Sequence, residues 1–210
     1  MKNKIVIIFV VLFSFSGLSQ QFKPGLIAGI NGSQVEGDGY AGYNKAGFVL
    51  GGMMRTRLKN FLSAQFEILY IGKGSKKIAR PDKGDYDYFL LHLNYIEIPV
   101  GLVAKYKTFD FDLGLYYSRR IGKYKLENIF GPVPTYSYPV KKDDFGGYLG
   151  ISYFFHSNMS FTVRSENSII PFRKFVNYDQ QIGIFNKLFN LGWYNLSLNF
   201  TFRYYFYERD

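Results

Sequence analysis

Apolar and polar side chains alternate along the end of the chain. In the segment LSLNFTFRYYFY, which begins at Leu196, the apolar positions fall on one parity, while Ser197, Asn199 and Arg203 fall on the other. A period of two predicts a β-strand with one apolar and one polar face. The same period occurs in FLSAQFEILY, FDFDLGLYY and MSFTVRSE.

Four further segments fit this scheme, three of them less regularly because they are rich in glycine. The fourth, NYIEIPVGLVAKY, is apolar enough to be buried and yet carries Glu97 near its middle. Together they bring the predicted total to about eight strands, each long enough for the roughly 9–11 tilted residues of a membrane strand. The predicted bounds are Lys23–Ser33, Gly47–Leu58, Leu93–Lys105 and Phe145–Phe155.

Short and long connections alternate between these segments. The short ones are KN, YKT and HSN, and the long ones are about Gln34–Ala46, Ser75–Tyr88, Arg119–Asp143 and Ser168–Trp193. A meander barrel produces this order when its turns lie at one end and its loops at the other. We therefore predict an all-β fold, an eight-stranded antiparallel up-and-down transmembrane β-barrel. A soluble β-sandwich would need a polar outer face. In these strands, the apolar face is too continuous and too rich in aromatic residues to leave such a surface.

The first residues predict export. A basic head with Lys2 and Lys4 precedes the apolar run IVIIFVVLFSF, and small residues follow at Gly17 and Ser19. This is the pattern of a signal peptide, because the run is shorter than the roughly 20 residues that span a bilayer. We expect a signal peptide over residues 1–19 and an outer-membrane barrel domain over 20–210. Both termini and the short turns are expected in the periplasm of a Gram-negative bacterium.

Composition agrees with this location. The chain has 22 Phe, 19 Tyr, 22 Gly and no Cys, which excludes disulfides, thiol nucleophiles and cysteine-bound metals. Interfacial aromatic residues and tight turns are typical of outer-membrane barrels. The formal net charge of +10 favours an anionic partner. For an exported chain we expect outer-membrane lipid and lipopolysaccharide, with other envelope proteins as further candidates and no nucleic acid.

Three segments resemble a known family. LNYIEIPVGLVAKY is similar to the signature strand of the PorT-type outer-membrane β-barrel family, and FKPGLIAGINGS and QFEILYIGKGSKK are similar to other parts of it. The resemblance covers about Phe22 to Tyr207 and implies an eight-stranded outer-membrane barrel. The namesake of the family takes part in secretion across the outer membrane, but no motif in this chain indicates that role.

Catalytic chemistry has little support in the sequence. His92 and His156 are the two histidines, and neither has a second histidine or a suitably spaced carboxylate to complete a metal site. A His–Ser pair for lipid hydrolysis would have to be assembled from distant segments. We therefore expect no enzyme activity, no metal and no cofactor.

The segment KGSKKIARPDKG predicts a basic loop. Its point charges could contact lipopolysaccharide phosphates, although solvated loop charges are the simpler interpretation. The aromatic side chains of Tyr86, Tyr88 and Phe89 are interpreted as an interfacial girdle. The candidate lipopolysaccharide contacts are Lys73, Lys76, Lys77, Arg80 and Lys83.

The parity rule places Glu97 on the inner face of its strand, because Ile96, Ile98 and Val100 form the apolar face. Applied to every strand, it predicts four bases and five acids inside the barrel: Arg55, Arg57, Arg164, Arg203, Glu67, Glu97, Asp110, Asp112 and Glu166. Charges in a narrow tube persist when they are paired and hydrogen-bonded. We predict a lumenal network in which Arg55, Arg164 or Arg203 holds Glu67 and Glu97 and plugs the barrel; water-filled pockets around isolated charges are the alternative.

Two functions follow from these patterns. The first is a structural or interaction barrel that is closed in the middle and presents extracellular loops. The second is a narrow pore or an accessory of a secretion machine. Eight strands leave an interior that side chains can fill, which favours the first.

Overall fold

The computed structural model describes residues 22–134, 139–174 and 192–208. The expected signal peptide at 1–19 and most of the expected loop Ser168–Trp193 lie outside these residues. The strands are β1 (Lys23–Glu36), β2 (Lys45–Lys59), β3 (Leu62–Lys77), β4 (Phe89–Tyr106), β5 (Phe109–Asn128), β6 (Gly131–Pro132), β7 (Asp143–His156), β8 (Met159–Ser168), β9 (Arg173–Lys174) and β10 (Gly192–Tyr205). A single 3-10 turn, Pro81–Lys83, accompanies them within the described ranges.

Eight long strands close into a barrel. Each pairs antiparallel with the next in the order β1-β2-β3-β4-β5-β7-β8-β10, and β1 pairs with β10 from Gly25↔Tyr205 to Glu36↔Tyr194. The two-residue strands β6 and β9 only extend the ends of β5 and β10. The predicted fold class, an eight-stranded antiparallel up-and-down transmembrane β-barrel, is confirmed.

One end of the barrel carries the tight turns. Two residues separate β2 from β3, β4 from β5, and β7 from β8. Lys23 at the start of β1 pairs with Arg55 close to the first of these turns, so β1 begins at this end and β10 finishes there. We call it the turn end and the opposite end the loop end. In the described ranges, no helix is long and apolar enough to cross a bilayer.

The outer face of the barrel is apolar over its middle. On β5 the outward side chains run Phe109, Phe111, Leu113, Leu115 and Tyr117, all exposed. The intervening inward positions include Asp110, Asp112 and Ser118, all buried. An exposed apolar surface beside a buried polar interior is the reverse of a soluble protein and suits a lipid surround. We call this outer zone the lipid band.

Above the lipid band the pattern inverts. On β5 the outward side chains become Arg119, Lys123 and Lys125, and on β4 they become His92 and Asn94. Many of the inward side chains at this height are apolar and buried: Ile71, Phe89, Leu91, Leu93, Leu126, Phe172 and Trp193. We call this group the apolar cap. The strands therefore rise out of the lipid band as an ordinary water-soluble barrel with an apolar core.

This inversion explains why several predicted bounds are too short. The loop expected over Arg119–Asp143 contains the second half of β5, and the loop expected over Ser75–Tyr88 begins inside β3. Polar and apolar side chains still alternate in these parts of the strands. The outward side chains there are mostly polar, however, whereas the outward side chains of a lipid-facing strand are apolar, so the sequence pattern does not indicate a membrane strand. Phe89, interpreted as part of an interfacial girdle, instead points inward and contacts Trp193 at a centroid distance of 6.4 Å.

The two zones predict different costs for the same substitution on one strand. Leu113→Arg places a charge in the lipid band and should reduce the free energy of unfolding by roughly 2–4 kcal/mol, as charges near the bilayer midplane do. Ile121→Arg, at an exposed outward position above the band, should change it little. Equilibrium unfolding by denaturant in lipid vesicles measures both. Equal losses would show that the middle of β5 does not face lipid.

Candidate functional site

The lumen is filled by charged side chains in three clusters. Strand β3 contributes one inward residue to each cluster. With increasing distance from the turn end, these residues are Gln65, Glu67 and Lys73. All three are buried. Their inward direction follows from the strand period, since Phe66 and Ile68 between them face outward.

The cluster nearest the turn end centres on Arg55. Its Nη1 donates to Asp110 Oδ2 at 2.6 Å, and its Nε donates to Gln65 Oε1 at 2.9 Å. Its Nη2 donates to the hydroxyl of Tyr205 at 3.3 Å. Strands β2, β3, β5 and β10 thus meet at one guanidinium group.

The middle cluster centres on Arg164. Its Nη1 and Nη2 donate to the two carboxylate oxygens of Glu67 at 2.8 and 2.7 Å, and its Nε donates to Asp112 at 3.1 Å. Arg203 Nη2 lies 3.5 Å from Glu67 Oε1. A guanidinium fork matches a carboxylate in this two-point geometry, which gives orientation as well as energy.

Glycines make room for the middle cluster. The Arg164 guanidinium stacks on the ring of Tyr148, 4.1 Å from its centroid. A Cβ atom at Gly101 or Gly114 would lie 2.3 or 2.8 Å from atoms of that phenol. The glycines on the inner faces of β4 and β5 therefore leave a slot that the Tyr148 ring occupies. Part of the glycine content of the chain is thus explained by the room that this aromatic ring needs inside the lumen.

The third cluster centres on Lys73. Its Nζ lies 2.6 Å from Glu97 Oε2 and 3.2 Å from Glu166 Oε2. Ser118 donates to Glu97 at 2.6 Å, and Ser197 donates to Glu166 at 3.1 Å. The lysine, Glu97 and Glu166 are fully buried. Removing such charges from water is unfavourable unless ion pairs and hydrogen bonds replace the lost hydration.

The predicted parity of Glu97 is correct, but its predicted partner is wrong. Glu97 points into the lumen, yet Lys73 holds it and not an arginine. The arginines Arg55 and Arg164 form ion pairs at other heights, with Asp110 in one case and with Glu67 and Asp112 in the other. Two residues can pair across the lumen only when they lie at the same height along the barrel axis. That height is set by the tilt of the strands, and the parity of a residue does not determine it.

The predicted location of Lys73 is wrong. The sequence predicts a lipopolysaccharide contact in a loop, whereas Lys73 is an inward residue of β3 whose side chain is not exposed. It has the same parity as Glu67, Leu69 and Ile71, so extending the predicted strand by three residues would have placed it inside. Sequence reasoning also missed two further buried charges, Lys45 and Asp144. Arg57, predicted inside, is exposed at the rim of the turn end.

The other four candidate contacts lie at the loop end. Lys76 and Lys77 finish β3, Arg80 precedes the 3-10 turn, and Lys83 lies within that turn. The Arg80 backbone N–H donates to Asp85 O at 2.6 Å, which closes the loop. Lys77 Nζ hydrogen-bonds to Asp85, and this bond lowers the pKa of that carboxyl below its ordinary value.

The histidines lie apart from one another, each beside an asparagine. His92 Nε2 is 2.9 Å from Asn94 Oδ1 on the outer face of β4, and His156 Nδ1 is 2.7 Å from Asn158 Oδ1 in a tight turn. Within the ranges that the structure describes, no group of three or more His, Asp or Glu side chains has a geometry that could hold a metal ion.

Comparison with solved structures gives similarity of fold. Neisserial surface protein A (NspA) is 12% identical and aligns with a TM-score of 0.50 over 86% of this chain and 96% of its own. Ail of Yersinia pestis, in complex with the heparin analogue sucrose octasulfate, is 14% identical with a TM-score of 0.48 over 88% and 99% of the two chains. OprG of Pseudomonas aeruginosa is 10% identical with a TM-score of 0.38 over 90% and 97%. At this identity, the likeness to NspA shows the barrel fold alone.

No protein-family model matches the chain, and no curated protein matches it significantly. The resemblance to the PorT-type family therefore has no support from these comparisons. The barrel fold that the resemblance implied stands on the closed strand order and on the likeness to NspA.

The Lys73 cluster predicts a large effect for the loss of one cation. Lys73→Met removes the partner of two buried carboxylates and should reduce the free energy of unfolding by roughly 3–5 kcal/mol, as breaking a buried ion pair does. Adding Glu97→Gln should recover part of that loss. Denaturant titration in lipid vesicles measures both.

The exposed pair Arg119–Asp143, at 2.9 Å, provides the matched control. Arg119→Ala should leave the unfolding midpoint nearly unchanged, because water screens an exposed pair. A Lys73→Met variant as stable as the parent would mean that water reaches the cluster and solvates its carboxylates.

Proposed function

We propose that this chain is an integral outer-membrane protein that anchors in the bilayer with a closed lumen and acts through its loop end. The observation that carries the proposal is the filled lumen: Arg55, Arg164 and Lys73 each occupy the interior at a different height. Side chains that fill an eight-stranded barrel leave no passage for ordinary solutes. The role is structural or interactive and requires no catalysis.

The outer membrane and a fixed orientation are part of this proposal. A transmembrane barrel with an apolar band is the form that spans bacterial outer membranes, and such barrels place short turns in the periplasm and longer loops outside. The tight turns and the two ends of the described barrel lie together at the turn end. We accordingly place both termini in the periplasm, with a signal peptide over residues 1–19 directing export.

Membership of the PorT-type family is a finer proposal. It rests on the residues LNYIEIPVGLVAKY, FKPGLIAGINGS and QFEILYIGKGSKK. In this chain the first segment provides Glu97, and the third provides Gln65, Glu67 and Lys73. The segments that carry the resemblance therefore contribute to all three lumenal clusters.

For the partner, we propose the phosphates of lipopolysaccharide. Lys76, Lys77, Arg80 and Lys83 stand at the loop end, above the lipid band, where saccharide phosphates of the outer leaflet would lie. Arg80 and Lys83 are exposed. Several point charges acting together bind anionic headgroups. Other envelope proteins remain candidate partners for the same loops.

The lipopolysaccharide proposal predicts a local charge effect. Arg80→Gln with Lys83→Gln should weaken binding of detergent-solubilised protein to immobilised lipopolysaccharide several-fold, since each charge near an anionic surface contributes about 1 kcal/mol. Lys59→Gln with Lys107→Gln removes the same charge at the turn end and should have little effect. Surface plasmon resonance measures both. Equal weakening would indicate binding by net charge, and no weakening would exclude this loop.

The competing function, a narrow pore, is tested by conductance. A barrel plugged at three heights should give no stable conductance of porin size in planar bilayers, because ions would have to displace paired charges. The double variant Glu67→Ala with Arg164→Ala removes one negative and one positive charge and two long side chains from the middle cluster. Its ion conductance should therefore be higher than that of the unmodified protein. A porin-sized conductance from the unmodified protein would overturn the closed-lumen proposal.

A further inference from the structure

A cavity opens at the turn end of the barrel. It has an empty volume of about 540 Å³, part of which is open solvent at its mouth, and is lined by residues of six barrel strands, by Asn60 in the turn between β2 and β3, and by Tyr207 after β10. The basic residues among them are Lys23, Arg55, Arg57 and Lys105, and the acid is Asp110. The lining therefore carries more positive than negative charge, in contrast to the nearly balanced lumen above it.

The base of this cavity is rigidly built. Arg55 is nine-tenths buried, and Asp110, Gln65 and Tyr205 each accept a hydrogen bond from a different nitrogen of its guanidinium. Five N–H groups are present on a guanidinium, so these three bonds leave two for another acceptor. Arg55 is thus a fixed cation in the lining of the cavity.

The walls combine positive charge with neutral donors and aromatic surface. Lys23 Nζ lies 4.5 Å from the centroid of the Tyr207 ring, which holds the ammonium group beside the mouth. Asn60 and Ser63 offer neutral hydrogen-bond donors, and Phe154 supplies an apolar wall. Arg57 belongs to β2 and Lys105 to β4, so two strands that flank β3 each contribute a cation to the lining.

The cavity ends blindly. Above Arg55 the lumen is occupied by the bidentate pair of Arg164 with Glu67, and above that by Lys73 with Glu97. A solute that enters from the turn end therefore stops at the first cluster. The space has the form of a binding site and not of a passage.

We propose that this cavity binds a small oxyanion with two or more negative charges, a phosphate or a polycarboxylate. Arg57 and Lys105 contact it from the rim, and the remaining donors of Arg55 contact it from the base. Guanidinium groups bind such oxyanions through paired hydrogen bonds, and fixed charges in a partly enclosed space attract them more strongly than surface charges do. This site lies at the opposite end from the proposed lipopolysaccharide contacts and is independent of them.

Isothermal titration calorimetry with pyrophosphate and with citrate tests the site on the refolded full barrel in a non-ionic detergent at low ionic strength. We expect saturable binding with one site per barrel. Arg57→Gln with Lys105→Gln should weaken it by about tenfold or more, since hydrogen bonds to charged groups are individually strong. Electrophoretic heat-modifiability and circular dichroism establish that this variant is folded.

The control variant is Lys59→Gln with Lys107→Gln, which removes the same charge at the turn end but outside the cavity lining and should change the affinity less than twofold. No saturable binding of either probe, or equal weakening in the two double variants, would overturn the proposal. Nanodiscs then distinguish the source of the anion. Weaker pyrophosphate binding in phosphatidylglycerol than in phosphatidylcholine nanodiscs would assign the site to a lipid headgroup, and unchanged binding would assign it to a free solute.

Discussion

Hydrogen bonding of the backbone in a medium without water is the constraint on which this structure depends. Hydrocarbon offers no partner to an exposed N–H or C=O group, so a sheet that crosses it must close on itself. Here the pairing of β1 with β10 provides that closure over twelve residue pairs. Closure in turn gives the sheet an inside and an outside, and the strand period then sends alternate side chains to lipid and to the lumen. The apolar parity and the buried charges are two consequences of the same closure.

Closure also decides what the lumen must contain. A tube of eight strands is too narrow for bulk water, so each inward charge needs a partner within reach. Arg55, Arg164 and Lys73 each meet at least one carboxylate, and serines or a glutamine provide further hydrogen bonds. The inward glycines Gly101 and Gly114 also contribute to the filled lumen, because the Tyr148 ring occupies the space that side chains at these two positions would take. Polar pairing and close packing together plug the barrel.

Alternation made the fold predictable, and with it the direction of the side chains within the lipid band. The fold class, the inward position of Glu97 and the lipid-facing parity of β5 all follow from a period of two, because that period is a property of each strand alone. The partner of Glu97 was not predictable in this way. Arg164 and Glu67 are 97 residues apart in sequence and meet because strands β3 and β8 bring them to one height across the lumen. That height depends on the tilt and register of the closed barrel, which no local pattern records. Lys73 shows a second limit, because β3 continues beyond the predicted end of the strand and a lysine in that extension resembles a loop residue.

Charge is distributed differently in the buried interior of the barrel and at its two ends. The buried bases Lys45, Arg55, Lys73, Arg164 and Arg203 are nearly matched by the buried acids Glu67, Glu97, Asp110, Asp112, Asp144 and Glu166. The chain as a whole nevertheless has a formal charge of +10, and Lys2 and Lys4 of the expected signal peptide account for only two of these charges, so the described residues outside this buried set carry a positive excess. Low-dielectric surroundings penalise an unbalanced charge, whereas water at the rims screens it. A barrel built in this way is neutral where it is closed and positive where it meets water, and each of its two ends can therefore attract anions without opening a path between them.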